Sequence, residues 1–158
     1  MDQPNNENAG FLKAISILFI ALFTGVVMFL VISVVLVYFQ GSPINDEQVQ
    51  FIFLIAISVF ALVCLVSALS IYKKRIHAIA TSGSDVQQKL NDYRAAVIVY
   101  LALCEGAALF SIIGLFLTGN YWLVVITVVM LAAMLFKKPS RKKIVNELQL
   151  NWNEEQQL

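Results

Sequence analysis

The sequence predicts an all-α membrane protein: a bundle of four transmembrane helices with a short cytoplasmic amphipathic helix near its carboxyl end. Of the 158 residues, 59% are hydrophobic and only 13% are charged, which is far from the composition of soluble globular domains. The apolar residues form four continuous runs, and most of the basic residues cluster in two of the segments that separate or follow them. These observations exclude a soluble globular fold.

The first apolar run covers residues 11–39. Its 29 residues would form a helix of about 43 Å, whereas the hydrocarbon core of a bilayer is roughly 30 Å thick. A secretory signal peptide is the alternative, but the preceding residues include Asp2 and Glu7 instead of a basic cluster, and no cleavage site follows. We therefore predict a tilted or protruding membrane helix, preceded by a disordered cytoplasmic tail at residues 1–10.

Three further apolar runs follow, at residues 51–72, 95–117 and 121–136. The last of them has 16 residues, which is short for a complete crossing. Two flanking features support it nevertheless. A tight turn at Gly119 precedes it, and the side chains of Lys137 and Lys138 after it are long enough to reach the headgroups.

The loop at residues 73–94 is predicted to extend helices two and three beyond the membrane. Helix two should continue past Tyr72 until Gly83 and its polar neighbours break it. Ser84 and Gln87, three residues apart, fit a capping box, so helix three should begin near Asp85 and run without a break into the third apolar run.

A short interfacial helix is predicted at residues 140–152, as the last part of a membrane domain that covers residues 11–152. Ser140 fits an N-cap, and apolar residues follow at helical spacing, namely Ile144, Val145, Leu148 and Trp152. Residues 153–158 form a polar tail. This helix is expected to lie on the inner membrane surface.

Sorting the charges by segment predicts the orientation. Of the 11 Lys and Arg residues, five lie in residues 73–94, five in residues 137–143, and the last is Lys13. The loop at residues 40–50 has none. Since cytoplasmic segments are enriched in basic residues, we expect a multi-pass protein of the plasma (bacterial inner) membrane with both termini in the cytoplasm.

The clustered basic residues are also candidates for contact with lipid headgroups. Two interpretations stay open: the cations only anchor the helices and enforce the topology, or they recognise anionic lipids specifically. The residues concerned are Lys73, Lys74, Arg75, Lys137, Lys138, Arg141, Lys142 and Lys143.

No pattern in the sequence indicates catalysis. There is no nucleophile with a neighbouring base, no phosphate-binding loop and no pair of Cys or His at metal-ligand spacing. Cys64 and Cys104 fall inside apolar runs and are expected to be packing residues, and His77 stands alone in a loop. We expect no enzyme activity, catalytic residue, cofactor, metal or nucleic-acid partner.

Glu105 is the only acidic residue in the four apolar runs, and it lies one position from the middle of the third. A charged carboxylate at that depth is costly, about 2.5–3.5 kcal/mol, so Glu105 should be protonated or should face a polar interior. The small residues around it predict close helix packing on both sides of helix three. They are Ala102 and Gly106 on one side and Ala107, Ser111 and Gly114 on the other.

Counting depth along the other helices suggests polar neighbours for Glu105. These are Thr24, Ser58, Cys64, Ser67 and Thr127. Two interpretations of the site remain open. Glu105 is a proton or ion site that titrates within the membrane, or it is a neutral hydrogen-bond donor that fixes helix packing or joins protomers.

Two resemblances accompany these residues. The stretch from Ala102 to Gly114 is similar to the carboxylate-bearing helix of rotary ATP synthase proteolipid subunits, which implies a proton-carrying Glu. The proteolipid is a hairpin with a glycine-rich first helix, however, whereas residues 51–72 contain no glycine. The second half of the chain also resembles a group of small uncharacterised bacterial four-helix membrane proteins, notably at Glu105-Gly106 and around Gly119. That resemblance implies a fold and no activity.

Two functional hypotheses follow. The first is a non-enzymatic membrane protein that acts by self-association as a homo-oligomer, or as an accessory subunit of a larger membrane complex. The second is a proton-coupled or ion transporter or channel that uses Glu105. In both, the lipid bilayer is the first partner.

Overall fold

The computed structural model of the protein describes residues 5–44, 46–138 and 140–149, with side chains from residue 13 onward except that of Arg141. The described chain is all-helical, which confirms the predicted class. Its five helices, in chain order, are α1 (Asn5–Gln40), α2 (Glu47–Ala80), α3 (Val86–Thr118), α4 (Trp122–Phe136) and α5 (Arg141–Leu148).

Three of the helices are long and apolar enough to cross a membrane. With 36, 34 and 33 residues, α1, α2 and α3 would each extend about 50 Å. α4 has 15 residues and a length of about 22 Å. Large apolar side chains cover the outer surfaces of α1, α2 and α4, a distribution that suits a lipid environment and not water.

α3 is the central helix, and α1, α2 and α4 all pack against it. Its buried side chains recur at helical spacing along its whole length, from Val86 to Thr118. Half of the most apolar stretch of α3 is buried inside the bundle, compared with 17% for α1 and α2. α3 therefore holds the core together.

The helices extend further than the apolar runs. α1 begins at Asn5, so residues 5–10, expected in a disordered tail, are helical; no proline interrupts the helix after that residue. α2 continues past the second apolar run to Ala80, just before the predicted break at Gly83 and its polar neighbours. The N-cap residue of α3 is Asp85 and not Ser84, and its side chain makes no capping hydrogen bond, so the proposed capping box is wrong.

A close contact joins the two loops at one end of the bundle. Gly119 ends α3 with a φ of 66°, in the left-handed region that favours glycine. A Cβ there would lie 3.0 Å from both Cβ and Oγ of Ser42, in the loop between α1 and α2. Beside it, the Ile44 amide donates to the Leu117 carbonyl at 3.0 Å. Glycine thus turns the chain and lets the other loop approach.

α5 packs at the opposite end, which we call the basic end because it holds residues 73–75 and 137–143. Ile144 and Leu148 are fully buried against the bundle, so the apolar stripe of α5 is covered by protein within the described chain. The Ser140 carbonyl accepts the first helical hydrogen bonds, from Lys143 and Ile144. Trp152, the last residue of the predicted stripe, and the tail at residues 153–158 lie outside the described residues.

Candidate functional site

Glu105 lies at the border between the core and the outer surface of α3. Cys104 beside it is fully buried, whereas Gly106 on its other side is exposed and has no atom within 4 Å of a built Cβ. The Glu105 side chain is partly buried, and no hydrogen bond or ion pair joins it to any other described residue. A carboxyl group therefore sits unpartnered at the side of the bundle, in the middle of an apolar helix.

The polar residues expected around Glu105 lie in different environments. Ser58 and Thr127 each donate to the carbonyl four residues earlier in their own helix, at 2.6 and 3.0 Å. Thr24 is exposed on α1, Ser67 is partly buried, and Cys64 packs against the cluster that contains Cys104. The Ser58 and Thr127 hydroxyls are therefore directed at their own helices, and among the described residues no hydrogen bond joins any of the five to Glu105.

The two groups of small residues on α3 have different surroundings. Ala107, Ser111 and Gly114 are buried, and Ser111 donates to the Leu123 carbonyl of α4 at 2.8 Å. A Cβ at Gly114 would lie 2.1 Å from Ile57 Cδ1, so the Ile57 side chain of α2 packs directly over this glycine. Ala102 and Gly106 are exposed, so the described residues cover only one of the two flanks.

A second polar cluster lies at the basic end, where α2, α4 and α5 meet. The Tyr72 hydroxyl donates to Glu147 Oε2, and Lys137 Nζ lies 3.3 Å from Glu147 Oε1. The same ammonium sits 4.3 Å above the Tyr72 ring, a cation–π contact. Both carboxylate oxygens of Glu147 are thus engaged, one by the buried Tyr72 and the other by the partly buried Lys137.

Two more tyrosines of α3 lie beneath this cluster. The Tyr100 ring meets that of Tyr72 edge to face at 5.5 Å, and its hydroxyl donates to the Ala133 carbonyl at 3.0 Å. Tyr93 is 0% exposed, and its hydroxyl lies near the Tyr72 hydroxyl and the Glu147 carboxylate without a well-formed hydrogen bond to any described residue. An unpaired buried hydroxyl is unfavourable, by about 1–3 kcal/mol.

The basic residues of this end are not equivalent. Lys143 donates to the Phe136 carbonyl at 2.7 Å, and partial burial, with Lys137 nearby, lowers the pKa of its amine although Glu147 opposes the shift. Lys137 forms an ion pair with Glu147 and is partly buried. The exposed basic residues are Lys73, Lys74, Arg75, Lys138 and Lys142. The backbone of Arg141 lies in the first turn of α5.

Sequence reasoning missed the cluster formed by Tyr72, Lys137 and Glu147. One signal was available, because Glu147 is the only acid in the strongly basic segment 137–149. Among the described residues, no three His, Cys, Asp or Glu side chains come together as metal ligands would. No protein family, no curated protein and no solved structure matches this chain.

Proposed function

We propose that this chain is a non-enzymatic membrane protein that crosses the bilayer four times, keeps both ends in the cytoplasm, and acts by self-association through one face of α3. That face, called the α3 outer face, consists of Ala102, Glu105 and Gly106. The observation that carries the proposal is the Glu105 carboxyl, which reaches the side of the bundle without a partner among the described residues.

The fourth crossing is supported by the ends of α4. Trp122 is 69% exposed at one end, and Lys137 and Lys138 follow the other. Aromatic rings and lysine side chains of this kind anchor helices at the two interfaces, which compensates for a length of about 22 Å. Cysteines introduced at Asn120 and Asn146 should then react with impermeant reagents from opposite sides; reaction from one side only would contradict the fourth crossing.

The orientation is supported by the charge at each end. Residues 73–94 and 137–143 carry ten of the 11 Lys and Arg residues, and the described part of the opposite loop carries Asp46 and Glu47. A basic end faces the cytoplasm. Cysteines introduced at Ser42 and Ser82 should therefore be accessible from outside and inside, respectively, and the reverse pattern would refute the orientation.

Self-association would supply the hydrogen-bond partner that the Glu105 carboxyl lacks in a single copy. A carboxyl at membrane depth is expensive when charged, and when protonated it needs an acceptor. Ala102 and Gly106 lack bulky side chains, so a second α3 could approach and offer a backbone carbonyl or its own Glu105. Each protomer would then provide the partner that the other lacks.

Proton or ion transport by such an oligomer is the second candidate. It is favoured by the partial exposure of Glu105, since a group at a protomer interface is more accessible to protons than one sealed in the core. Transport predicts that a pH gradient across liposomes decays faster when they contain the protein, and that Glu105→Gln abolishes this faster decay. Equal decay in empty liposomes would refute transport and leave self-association unaffected.

The experiment for self-association counts labelled copies per complex by stepwise photobleaching in liposomes over a range of lipid dilution. Gly106→Leu fills the α3 outer face, and Gly25→Leu is the matched control, because Gly25 is also exposed in an apolar helix with nothing within 4 Å. We expect Gly106→Leu to weaken association at least about tenfold and Gly25→Leu to leave it unchanged. Equal behaviour of the two variants, or a monomeric wild type, would refute the proposal.

A further inference from the structure

An apolar groove lies between α2 and α4, with α3 at its floor. Its volume is about 410 Å³. The residues that line it are Leu65, Leu69, Tyr100, Val129, Ala132, Ala133, Phe136 and Lys137. Since the Tyr100 hydroxyl is already bonded to the Ala133 carbonyl, hydrocarbon forms nearly all of the wall, and only an apolar group fits there.

At the basic end the groove adjoins a polar cleft of about 230 Å³. Lys137 lines both cavities. The cleft also contains Tyr72, Lys73, Ile76, His77, Ala80, Glu147 and Gln149. The groove has hydrocarbon walls, the cleft has cationic and hydrogen-bonding walls, and the Lys137 side chain is where they meet. Together they match a molecule with an apolar chain and a polar head.

The charge of the cleft favours an anion. Lys73 and Lys137 bring two positive charges against the one negative charge of Glu147, and Lys143 lies close enough to Lys137 for the two ammonium groups to repel each other. The acid of the cleft, Glu147, already accepts a hydrogen bond from Tyr72 and an ion pair from Lys137. His77, exposed at the rim, offers a further donor.

We infer that the groove and the cleft together bind one anionic phospholipid of the bilayer, with an acyl chain between α2 and α4 and the phosphate at Lys73 and Lys137. The dimensions agree. The stretch of α4 from Val129 to Lys137 rises about 12 Å, close to the roughly 15 Å that one leaflet provides. A chain anchored at the basic end would therefore lie along the groove at its natural depth.

This site is separate from the α3 outer face. Tyr100 and Ala102 are two residues apart on α3, so their side chains point about 200° apart around the helix axis. The lipid site depends on membrane insertion and not on self-association. Failure of one proposal therefore leaves the other standing.

The headgroup part is tested with full-length purified protein by native mass spectrometry, using phosphatidylglycerol and phosphatidylcholine with identical acyl chains. We expect preferential retention of phosphatidylglycerol. Lys73→Gln should reduce it about fivefold, and Lys74→Gln, the same charge change next to the cleft but outside it, should leave it unchanged. Equal retention of both lipids, or equal effects of both variants, would overturn the inference.

The acyl part is tested with Ala132→Trp, which fills the groove without altering a charge. Val128→Trp, on the exposed side of α4, is the control. We expect only Ala132→Trp to remove the retained lipid. Retention that survives it would contradict the acyl position, and a change in the number of copies per complex would mean that a second copy occupies the groove instead.

Discussion

The Tyr72 hydroxyl donates a hydrogen bond to the Glu147 carboxylate, across 75 residues of sequence. This contact joins the end of the second apolar run to α5, and Lys137 completes it from the end of α4. Three segments thus meet at one carboxylate. The position of α5, which frames the polar cleft, depends on that carboxylate as well as on Ile144 and Leu148.

Tyr72→Phe should loosen α5. The variant removes a hydrogen bond to a charged group, with an expected loss of about 1.5 kcal/mol in the free energy of docking. Tyr38→Phe is the matched control: it removes the same hydroxyl from an exposed ring in the last turn of α1, at the opposite end of the bundle from α5, and should leave α5 unchanged. Hydrogen exchange of the α5 amides measures both. Equal protection in the two variants would contradict the role of the Tyr72–Glu147 bond.

Because of Lys143, the strength of α5 docking should increase with pH in the alkaline range. Burial lowers the pKa of its amine in the folded protein, so the charged form is disfavoured there. Docking should then strengthen as pH rises from the lowered pKa towards the ordinary lysine value of about 10.4, and be weakest below that range. Lys143→Met should abolish this dependence, and Lys142→Met, an exposed neighbour, should keep it. If the protection of α5 amides from hydrogen exchange changes with pH in the same way in wild type and Lys143→Met, the role of Lys143 is disproved.

Gly114→Ala should destabilise the bundle. Its new Cβ would lie 2.1 Å from Ile57 Cδ1 and 3.1 Å from Leu123 Cδ1, which are the ends of side chains that can rotate, so we expect the lower end of the overpacking range, about 1 kcal/mol. Because Ile57→Val removes the nearer atom, it should restore part of the stability in the double variant. Gly106→Ala meets no atom within 4 Å and should be tolerated by the fold. Unfolding in denaturing detergent measures all of them, and simple additivity of the two substitutions would contradict the contact.

Gly119→Ala should also destabilise the protein, for a different reason. A residue with a Cβ is strained at positive φ by about 1–2 kcal/mol, and the added atom also approaches Ser42. Gly83→Ala is the control, since Gly83 has neither constraint. If the two variants unfold at the same detergent concentration, the turn does not require glycine.

The sequence predicted the long apolar helices because lipid demands continuous hydrocarbon, and such runs are visible without any tertiary information. It missed the helical residues 5–10 because a polar segment without breakers is compatible with helix or coil. Ala102 and Gly106 are small residues of the same helix as Ala107 and Gly114, and the sequence does not show which pair is buried. Which pair faces a neighbouring helix depends on the rotation of α3, and that rotation is set by contacts with α2 and α4.

The contact of Lys137 with Glu147 was not predictable for a related reason. The two residues are ten positions apart with a break between their helices, so no helical spacing relates them. Only the docking of Ile144 and Leu148 brings α5 back over the end of α4. Apolar burial thus determines where the charges meet.

Disulfide trapping within the membrane tests the central claim, self-association through the α3 outer face, most directly. In a background with Cys64 and Cys104 replaced by alanine, Ala102→Cys should form a covalent dimer on mild oxidation. Val66→Cys, exposed on α2 at similar depth, should not. Dimers from Ala102→Cys alone are the predicted result. No dimer from either position, or equal yields from both, would contradict the account.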